Sequence, residues 1–253
     1  MPRASETVLL GLLQGPAELL PISSSAHVGL ALRWRDASLS GAERKEIEVA
    51  LHAGTALVLA LTQPVRRPAF LAAATLPPAL AGLAFERVVE ERFGTPPTVA
   101  FGLVAGAGAM VVADRVAARR SEPGLMDGLV LGVAQAAALI PGVSRSGATR
   151  AAARARGFGR AEAAELSREV ALPVLAGATA LKGLRLASRR PPRETIVALG
   201  AGAAAAAAST FVARRLPEPP LAAFAVYRVA LASVILAAWR CRRTSGIKGE
   251  GSA

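Results

Sequence analysis

Residues 125–155 read LMDGLVLGVAQAAALIPGVSRSGATRAAARA, and this stretch decides the fold that the sequence predicts. Its first apolar run, Leu125–Ile140, ends at Pro141-Gly142, and a shorter run, Ala148–Ala155, follows a polar turn. The pattern predicts two short helices joined by an irregular turn. Backbone of this kind is tolerated at membrane depth only where protein or a water-filled cavity covers it. We therefore predict a re-entrant helical hairpin.

A second stretch near the N-terminus has the same design. Val8–Leu20 contains Glu18, stops at Pro21 and a run of serines, and is followed by the shorter apolar piece Ala26–Leu32. A signal peptide with Arg3 as its charged region is the alternative interpretation of this segment. Glu18 and Pro21 argue against that alternative, and we predict a second hairpin here.

Composition indicates a membrane protein. Of the 253 residues 53% are apolar and 19% are charged, and the mean hydropathy is +0.41. Disorder is excluded because it requires low hydrophobicity. The net charge of +12 is weak support for nucleic-acid binding, since aromatic residues for base stacking make up only 4%. The single Cys241 cannot form an internal disulfide, and two histidines give no histidine-rich metal site.

Six further apolar runs are long enough, or nearly so, to cross a bilayer core, which takes about 20 residues. An alanine-rich soluble helical bundle is the alternative, but uncharged windows of this length recur too regularly for it. The six predicted transmembrane helices are Ile47–Val65, Ala69–Phe85, Pro97–Ala113, Val170–Leu186, Thr195–Ala213 and Leu221–Trp239.

The two halves of the chain align at an offset of 121 residues. The segment Glu48–Leu51 recurs unchanged as Glu169–Leu172, Gln14 recurs as Gln135, and two serines of one turn fall on two serines of the other. Each repeat, about 7–120 and 125–243, then holds one hairpin and three transmembrane helices. Three is odd, so the second copy enters the membrane inverted. The predicted fold is a single all-α integral membrane domain with an inverted-topology repeat.

The turns of the two hairpins, called the first tip (residues 14–27) and the second tip (135–150), are expected to meet. Ionisable residues inside a membrane are costly, which makes Glu18, His27 and Arg145 functional candidates. The second tip suits a phosphate or diphosphate, because Arg145 offers a planar fork of donors beside free amides at a helix start. Its hydroxyl donors are Ser144, Ser146 and Thr149.

The first tip supplies a carboxylate, a serine cluster and an imidazole within ten residues. A serine hydroxyl attacks only after a base takes its proton, and either Glu18 or His27 suits that role. Glu18 also suits a divalent cation on the diphosphate. Together the tips predict a phosphoryl-transfer site. The simpler alternatives are that the serines Ser23 and Ser25 cap a helix and that Glu18 only pairs with an arginine.

Three other polar residues lie on or beside the apolar runs. Glu48 and Glu169 are interpreted as helix-end residues, with Glu169 in a structural ion pair. His52, on an apolar run, is interpreted as a packed or cavity-lining histidine rather than a ligand.

The segments Gln14–His27 and Pro141–Thr149 resemble the paired signatures of the bacterial undecaprenyl-diphosphatase family, of the bacitracin-resistance type. Supporting similarity runs through the segments 47–57, 171–181 and 224–228. The motifs Pro-x-Ser-Ser-x-x-His and Pro-Gly-x-Ser-Arg-Ser-Gly-Ala-Thr, in this order, are specific. The resemblance covers nearly the whole chain.

The resemblance implies a hydrolase of the bacterial cytoplasmic membrane that removes the terminal phosphate of undecaprenyl diphosphate. Its site opens on the outer side and requires a divalent cation, Mg²⁺ or Ca²⁺. It implies that Glu18 is the acidic residue, Ser24 the proposed nucleophile, His27 the imidazole and Arg145 the diphosphate clamp. The remaining predicted substrate-binding residues are Gln14, Ser23, Ser25, Ser144, Ser146 and Thr149.

This sequence departs from the family pattern at several positions. Gln14 stands where the family often has Glu, Ala26 where it usually has Gly, and His52 where Gln is usual. Two rival functions remain open: a polyprenyl-phosphate transporter or flippase without hydrolysis, which the inverted repeat suits equally well, and an inactive scaffold for envelope assembly. We also predict that the protein forms a homodimer. Its expected partner is a polyprenyl diphosphate lipid, and no nucleic-acid partner is expected.

Overall fold

The computed structural model of the chain describes residues 4–35, 40–186 and 192–244, and Arg3 lies outside these ranges. Within them the regular structure is helical, apart from an isolated backbone bridge between Arg120 and Phe158. In chain order the described helices are α1 (Ala4–Leu19), α2 (Ser24–Arg35), α3 (Gly41–Thr62), α4 (Pro68–Arg92), α5 (Pro96–Ala113), α6 (Leu125–Ala137), α7 (Arg145–Ala155), α8 (Arg160–Leu186), α9 (Arg193–Ala213) and α10 (Leu221–Thr244).

Each tip contains a turn between two short helices, with α1 and α2 on either side of the first turn and α6 and α7 on either side of the second. Each turn contains a serine with positive φ, 74° at Ser23 and 68° at Ser144, and Gly142 adds a third positive value of 94°. L-residues rarely adopt this conformation because Cβ crowds the backbone. Ser144 offsets part of that cost by accepting a hydrogen bond from the Gly147 amide at 3.2 Å as the N-cap of α7.

Four of the described helices are long and apolar enough to cross a membrane, over Pro68–Phe85, Pro96–Ala113, Arg193–Ala213 and Leu221–Cys241. They contain four of the six predicted transmembrane helices. The other two predictions overlap α3 and α8, which are long but carry charged residues along their length, and the first of them extends past the end of α3 at Thr62. Large apolar side chains such as Leu61, Leu83 and Phe101 point outward, at 72–78% exposure, as expected for a lipid-facing surface.

The helices pack in pairs that cross between the two halves of the chain. α1 lies on α9, α6 lies on α4, α3 contacts both α9 and α8, and α5 contacts α10. Small residues let these backbones approach closely. Gly11 of α1 lies against Ala201, and Gly132 of α6 lies against Ala74 and Pro77.

The contact of α3 with α9 depends on two glycines that face each other's backbones. A Cβ atom at Gly54 would lie 2.4 Å from the Leu199 carbonyl oxygen, and one at Gly202 would lie 2.7 Å from the Leu51 carbonyl oxygen. Leu51 and Ile47 are fully buried beside this crossing. The approach therefore fixes the position of the middle of α3, which carries His52.

We predict that Gly202→Ala destabilises the protein by about 1–3 kcal/mol, because an added methyl group forces the two backbones apart. Gly200→Ala is the matched control, since a Cβ atom there meets nothing within 4 Å on the same helix. Melting temperatures of the two variants in detergent check the prediction. Equal melting temperatures would contradict the close approach of α3 and α9.

Candidate active site

An ion pair joins the two tips. Arg145, the first residue of α7, donates from Nη2 to Glu18 Oε1 at 2.7 Å across a separation of 127 residues. Both side chains are largely enclosed, with 5% of Glu18 and 14% of Arg145 exposed. Glu18 reaches the contact because α1 ends one residue later, at Leu19. The predicted acidic residue and the predicted clamp are therefore in direct contact.

The second oxygen of the Glu18 carboxylate faces three further side chains. Ser24 Oγ donates to Oε2 at 2.5 Å, and Gln14 Nε2 donates to the same oxygen at 3.2 Å. His52 Nε2, on α3, lies 3.4 Å from Oε2. A serine hydroxyl directed at a carboxylate oxygen is the geometry in which that carboxylate accepts the hydroxyl proton.

The other predicted hydroxyl donors bond to one another or to the backbone. Ser23 and Ser25 share a hydrogen bond at 3.2 Å, and Ser144 and Ser146 share one at 3.3 Å. Ser146 Oγ also donates to the Leu20 carbonyl oxygen of the first tip at 2.7 Å. The tips are thus tied by a neutral contact beside the ion pair.

Thr149 lies one turn further along α7. Its Oγ1 atom donates to the Arg145 carbonyl oxygen at 2.9 Å and lies 2.6 Å from Ser167 Oγ on α8. Arg145 Nη1 donates to the Ser167 carbonyl oxygen at 3.2 Å. Ser167, which the sequence interpretation did not single out, therefore holds both Arg145 and Thr149 in place.

His27, one of the two candidate bases, makes its ring contacts with groups other than Ser24. Its Nδ1 bonds to the Ser23 carbonyl oxygen at 2.7 Å, and its Nε2 lies 2.5 Å from the Tyr227 hydroxyl on α10, with the two rings stacked. A carbonyl oxygen only accepts, so Nδ1 carries the proton and Nε2 accepts from Tyr227. Of the two bases that the sequence left open, Glu18 is the one in hydrogen-bond contact with Ser24.

Arg228 holds both turns from α10. Its side chain is fully buried and donates to Pro21 O at 3.3 Å in the first tip and to Gly142 O and Val143 O, each at 2.8 Å, in the second. It also donates to Leu103 O of α5 at 3.1 Å. Sequence interpretation missed this role, although an arginine within the apolar run Leu221–Trp239 is itself a signal of function.

Further ion pairs enclose the site at the C-terminal end of α3. Arg150 donates to Glu218 Oε2 at 2.7 Å and to the Leu19 carbonyl oxygen at 2.9 Å. Arg67 pairs with Glu169 at 2.8 Å, which places Glu169 in the structural pair expected from the sequence. These contacts link α7 with the α9–α10 loop and the first tip, and link α8 with the segment between α3 and α4.

A cavity of about 810 Å³ reaches the site from the N-terminal end of α3. Its walls are largely apolar and include Leu30, Val99 and Leu175, while Arg44 and Lys45 lie on the α3 side of it. Ser25, Pro141 and His52 also line it, so the cavity borders both tips. This combination of apolar wall and polar end suits an amphipathic ligand.

The oxygen donors around Glu18 bear on whether the site can hold a divalent cation. Among the described residues no group of three or more His, Cys, Asp and Glu side chains is placed to enclose a metal ion. Mg²⁺ is instead often bound by one or two carboxylates together with substrate phosphates. Glu18 supplies one carboxylate, and Gln14 Oε1 is buried with no hydrogen-bond partner. These oxygen donors fit a cation that is shared with a phosphate ligand.

The fold and the site define a helical membrane protein with an enclosed ion pair and a serine hydroxyl bonded to its carboxylate, beside a largely apolar cavity. The family model described as Bacitracin resistance protein BacA matches residues 60–234, and the chain belongs to this family. The match includes the second tip and Arg228.

Curated relatives extend the similarity over almost the whole chain. An undecaprenyl-diphosphatase of Moorella thermoacetica is 35% identical over 94% of this chain and 98% of its own length. Proteins of the same name from Pelobacter propionicus and Geotalea daltonii are 35% and 32% identical, and the matches cover 90% and 91% of this chain and 96% of each relative.

We predict that Arg228→Met lowers the free energy of unfolding by more than about 3 kcal/mol, because it leaves several buried carbonyl oxygens without a donor. The measurement is the folded fraction and the melting temperature of the purified full chain. Arg115→Met, at an exposed arginine just beyond α5, is the control and should change neither value appreciably. A stable Arg228→Met protein would contradict the assignment of Arg228 as the residue that holds both turns.

Proposed function

We propose that this protein is an undecaprenyl-diphosphatase, which hydrolyses undecaprenyl diphosphate to undecaprenyl phosphate and inorganic phosphate. The observation that carries the proposal is the contact set of Glu18, with Ser24 on one carboxylate oxygen and Arg145 on the other. A hydroxyl nucleophile, its base and a phosphate-binding cation are thereby adjacent. The names of the curated relatives support the same activity.

The reaction that this geometry supports begins at Ser24. Its hydroxyl proton passes to Glu18 Oε2 while Oγ forms a bond to the terminal phosphorus. The bond from that phosphorus to the bridging oxygen breaks, and undecaprenyl phosphate leaves with the electron pair. Water then cleaves the phosphoserine. Attack by a water molecule activated at Glu18 gives the same products and is the alternative route.

Arg145 binds the diphosphate. Its Nε atom is buried with no hydrogen-bond partner, so it retains a donor for a phosphate oxygen besides the two guanidinium nitrogens already engaged. A guanidinium that bridges phosphate and carboxylate also neutralises charge that builds up on the phosphoryl oxygens. The serines of both tips, with Thr149, surround this position and complete the predicted binding set.

Glu18 is also the proposed ligand of a divalent cation, Mg²⁺ or Ca²⁺. Such a cation neutralises phosphate charge and polarises the phosphoryl group. Gln14 offers the cation only a neutral amide oxygen, which binds a divalent cation less strongly than a second carboxylate would. We therefore expect a cation held jointly by Glu18 and the substrate rather than by the protein alone.

The proposed architecture is an inverted-topology repeat, residues about 7–120 and 125–243, with both tips re-entrant. In this repeat α1 corresponds to α6, and α4 corresponds to α9. The contact of α1 with α9 and the contact of α6 with α4 are therefore equivalent, which supports the architecture. The two positive-φ serines, Ser23 and Ser144, are also equivalent at the offset of 121.

The proposed location is the bacterial cytoplasmic membrane, with the site open to the outer side and a homodimer as the assembly. There the activity recycles the lipid carrier for peptidoglycan synthesis and cell shape and confers bacitracin resistance.

The first test is phosphate release from undecaprenyl diphosphate by purified protein, with Mg²⁺ or Ca²⁺ and then with chelator. We expect metal-dependent release that Arg145→Ala lowers by at least about 100-fold, because the clamp acts on developing charge. Arg150→Ala should cost less per folded molecule, since Arg150 pairs with Glu218 and a backbone carbonyl instead of Glu18. Equal losses in the two variants would contradict the clamp assignment, and folded protein without release under any metal would overturn the proposed activity.

A second test separates hydrolysis from transport. Ser24→Ala should abolish phosphate release while binding of undecaprenyl diphosphate is retained, because the hydroxyl is needed for attack and contributes only one contact to binding. Lipid transfer across proteoliposomes is measured on the same variant. The transporter would be favoured if the wild-type protein released no phosphate and Ser24→Ala transferred lipid at the wild-type rate.

A further inference from the structure

His52 lies between the cavity and the catalytic carboxylate. It stands in the middle of α3 and lines the cavity, and 28% of its side chain is exposed. On its other edge Nε2 lies 3.4 Å from Glu18 Oε2. The proposed mechanism assigns it no task.

The ring of His52 has a fixed orientation. Its Nδ1 bonds to the Glu48 carbonyl oxygen, one turn earlier in α3, at 2.7 Å. Nδ1 faces a carbonyl oxygen and Nε2 faces a carboxylate oxygen. Both of these groups only accept, so the ring makes the two contacts as an imidazolium with a proton on each nitrogen. The close packing of Gly54 and Gly202 fixes the helix itself at this level. His52 is therefore anchored by α3 and not by either tip.

Glu18 needs a contact of this kind because its other Oε2 partners lie on the tip itself. Ser24 and Gln14 are within six residues of Glu18 and move with it. Arg145 holds only Oε1, and a carboxylate held at one oxygen can still turn about its terminal torsion, which is broad. A partner on Oε2 from a separate, packed helix prevents that rotation.

We infer that His52 is a positioning residue, which holds Glu18 Oε2 toward Ser24 and prevents the carboxylate from turning into the cavity. The inference rests on the proposed function, because it assigns His52 a task in the activation of Ser24. Misplacement of a catalytic group by about 1 Å can cost about 100-fold in rate.

The test compares His52→Leu with His52→Gln. Leu removes the polar contact at similar size, whereas Gln retains an N–H donor on the same side of the helix. We expect His52→Leu to lower kcat by about 10–100-fold with KM changed less than about 3-fold, and His52→Gln to restore kcat to within about 5-fold of wild type. Thr55→Val, one turn further along α3 and bonded only to the Leu51 carbonyl, is the matched control and should retain full activity.

Three results would overturn the inference: full activity in His52→Leu, equal losses in the Leu and Gln variants, or a loss confined to KM. The last would make His52 a binding residue for the headgroup. A similar loss of activity in Thr55→Val would show that activity responds to any change in the packing of α3, and it would also overturn the specific role of His52.

A second measurement is independent of hydrolysis. Melting temperatures of His52→Leu, Glu18→Ala and the double variant are measured on the full chain in metal-free detergent. We expect non-additive shifts, with His52→Leu costing less when Glu18 is already removed, because neighbouring partners couple. Additive shifts would overturn the contact even in an active enzyme. Failure of wild-type phosphate release with non-additive shifts would overturn the proposed function and leave the coupling of the two residues established.

Discussion

The ion pair between Glu18 and Arg145 is the constraint on which the arrangement of the tips depends. Both groups lie out of water, and removing one partner of a buried pair typically costs about 3–5 kcal/mol because the other charge is left uncompensated. Since the partners belong to different tips, the pair forms only when both turns have reached their final positions. The same contact that completes the fold also brings the proposed base, Glu18, and the proposed clamp, Arg145, together.

The turns themselves are held in a conformation that the chain does not favour. Positive φ at Ser23 and Ser144 costs of order 1 kcal/mol each, and such strain persists only where the surroundings enforce it. Arg228 supplies that enforcement, because its hydrogen bonds end on carbonyl oxygens of both turns. A buried guanidinium from α10 therefore stabilises the irregular backbone that places Ser24 and Arg145 on the two oxygens of the Glu18 carboxylate.

Sequence patterns predicted the all-helical membrane fold, the two broken helix pairs and the residues of the tips, because each of these is a local property of composition and spacing. They did not predict which way a side chain points. His27 stands in the motif beside Ser24, yet its ring bonds to Tyr227, 200 residues away. His52 stands in an unremarkable apolar run, yet it reaches Glu18. Both outcomes depend on the rotation of one helix against another, which packing decides.

The chemistry of the site lies where the two aligned tips differ. At an offset of 121 the tips share a glutamine, a proline within one position and two serines, but Ser24 corresponds to Arg145 and Glu18 to Leu139. Two identical tips facing each other would bring like groups together, and like charges in a buried site repel. A phosphoryl-transfer site needs a cation opposite a nucleophile and its base. The shared residues therefore build matching turns, while the substitutions give one turn the carboxylate and hydroxyl and the other the guanidinium.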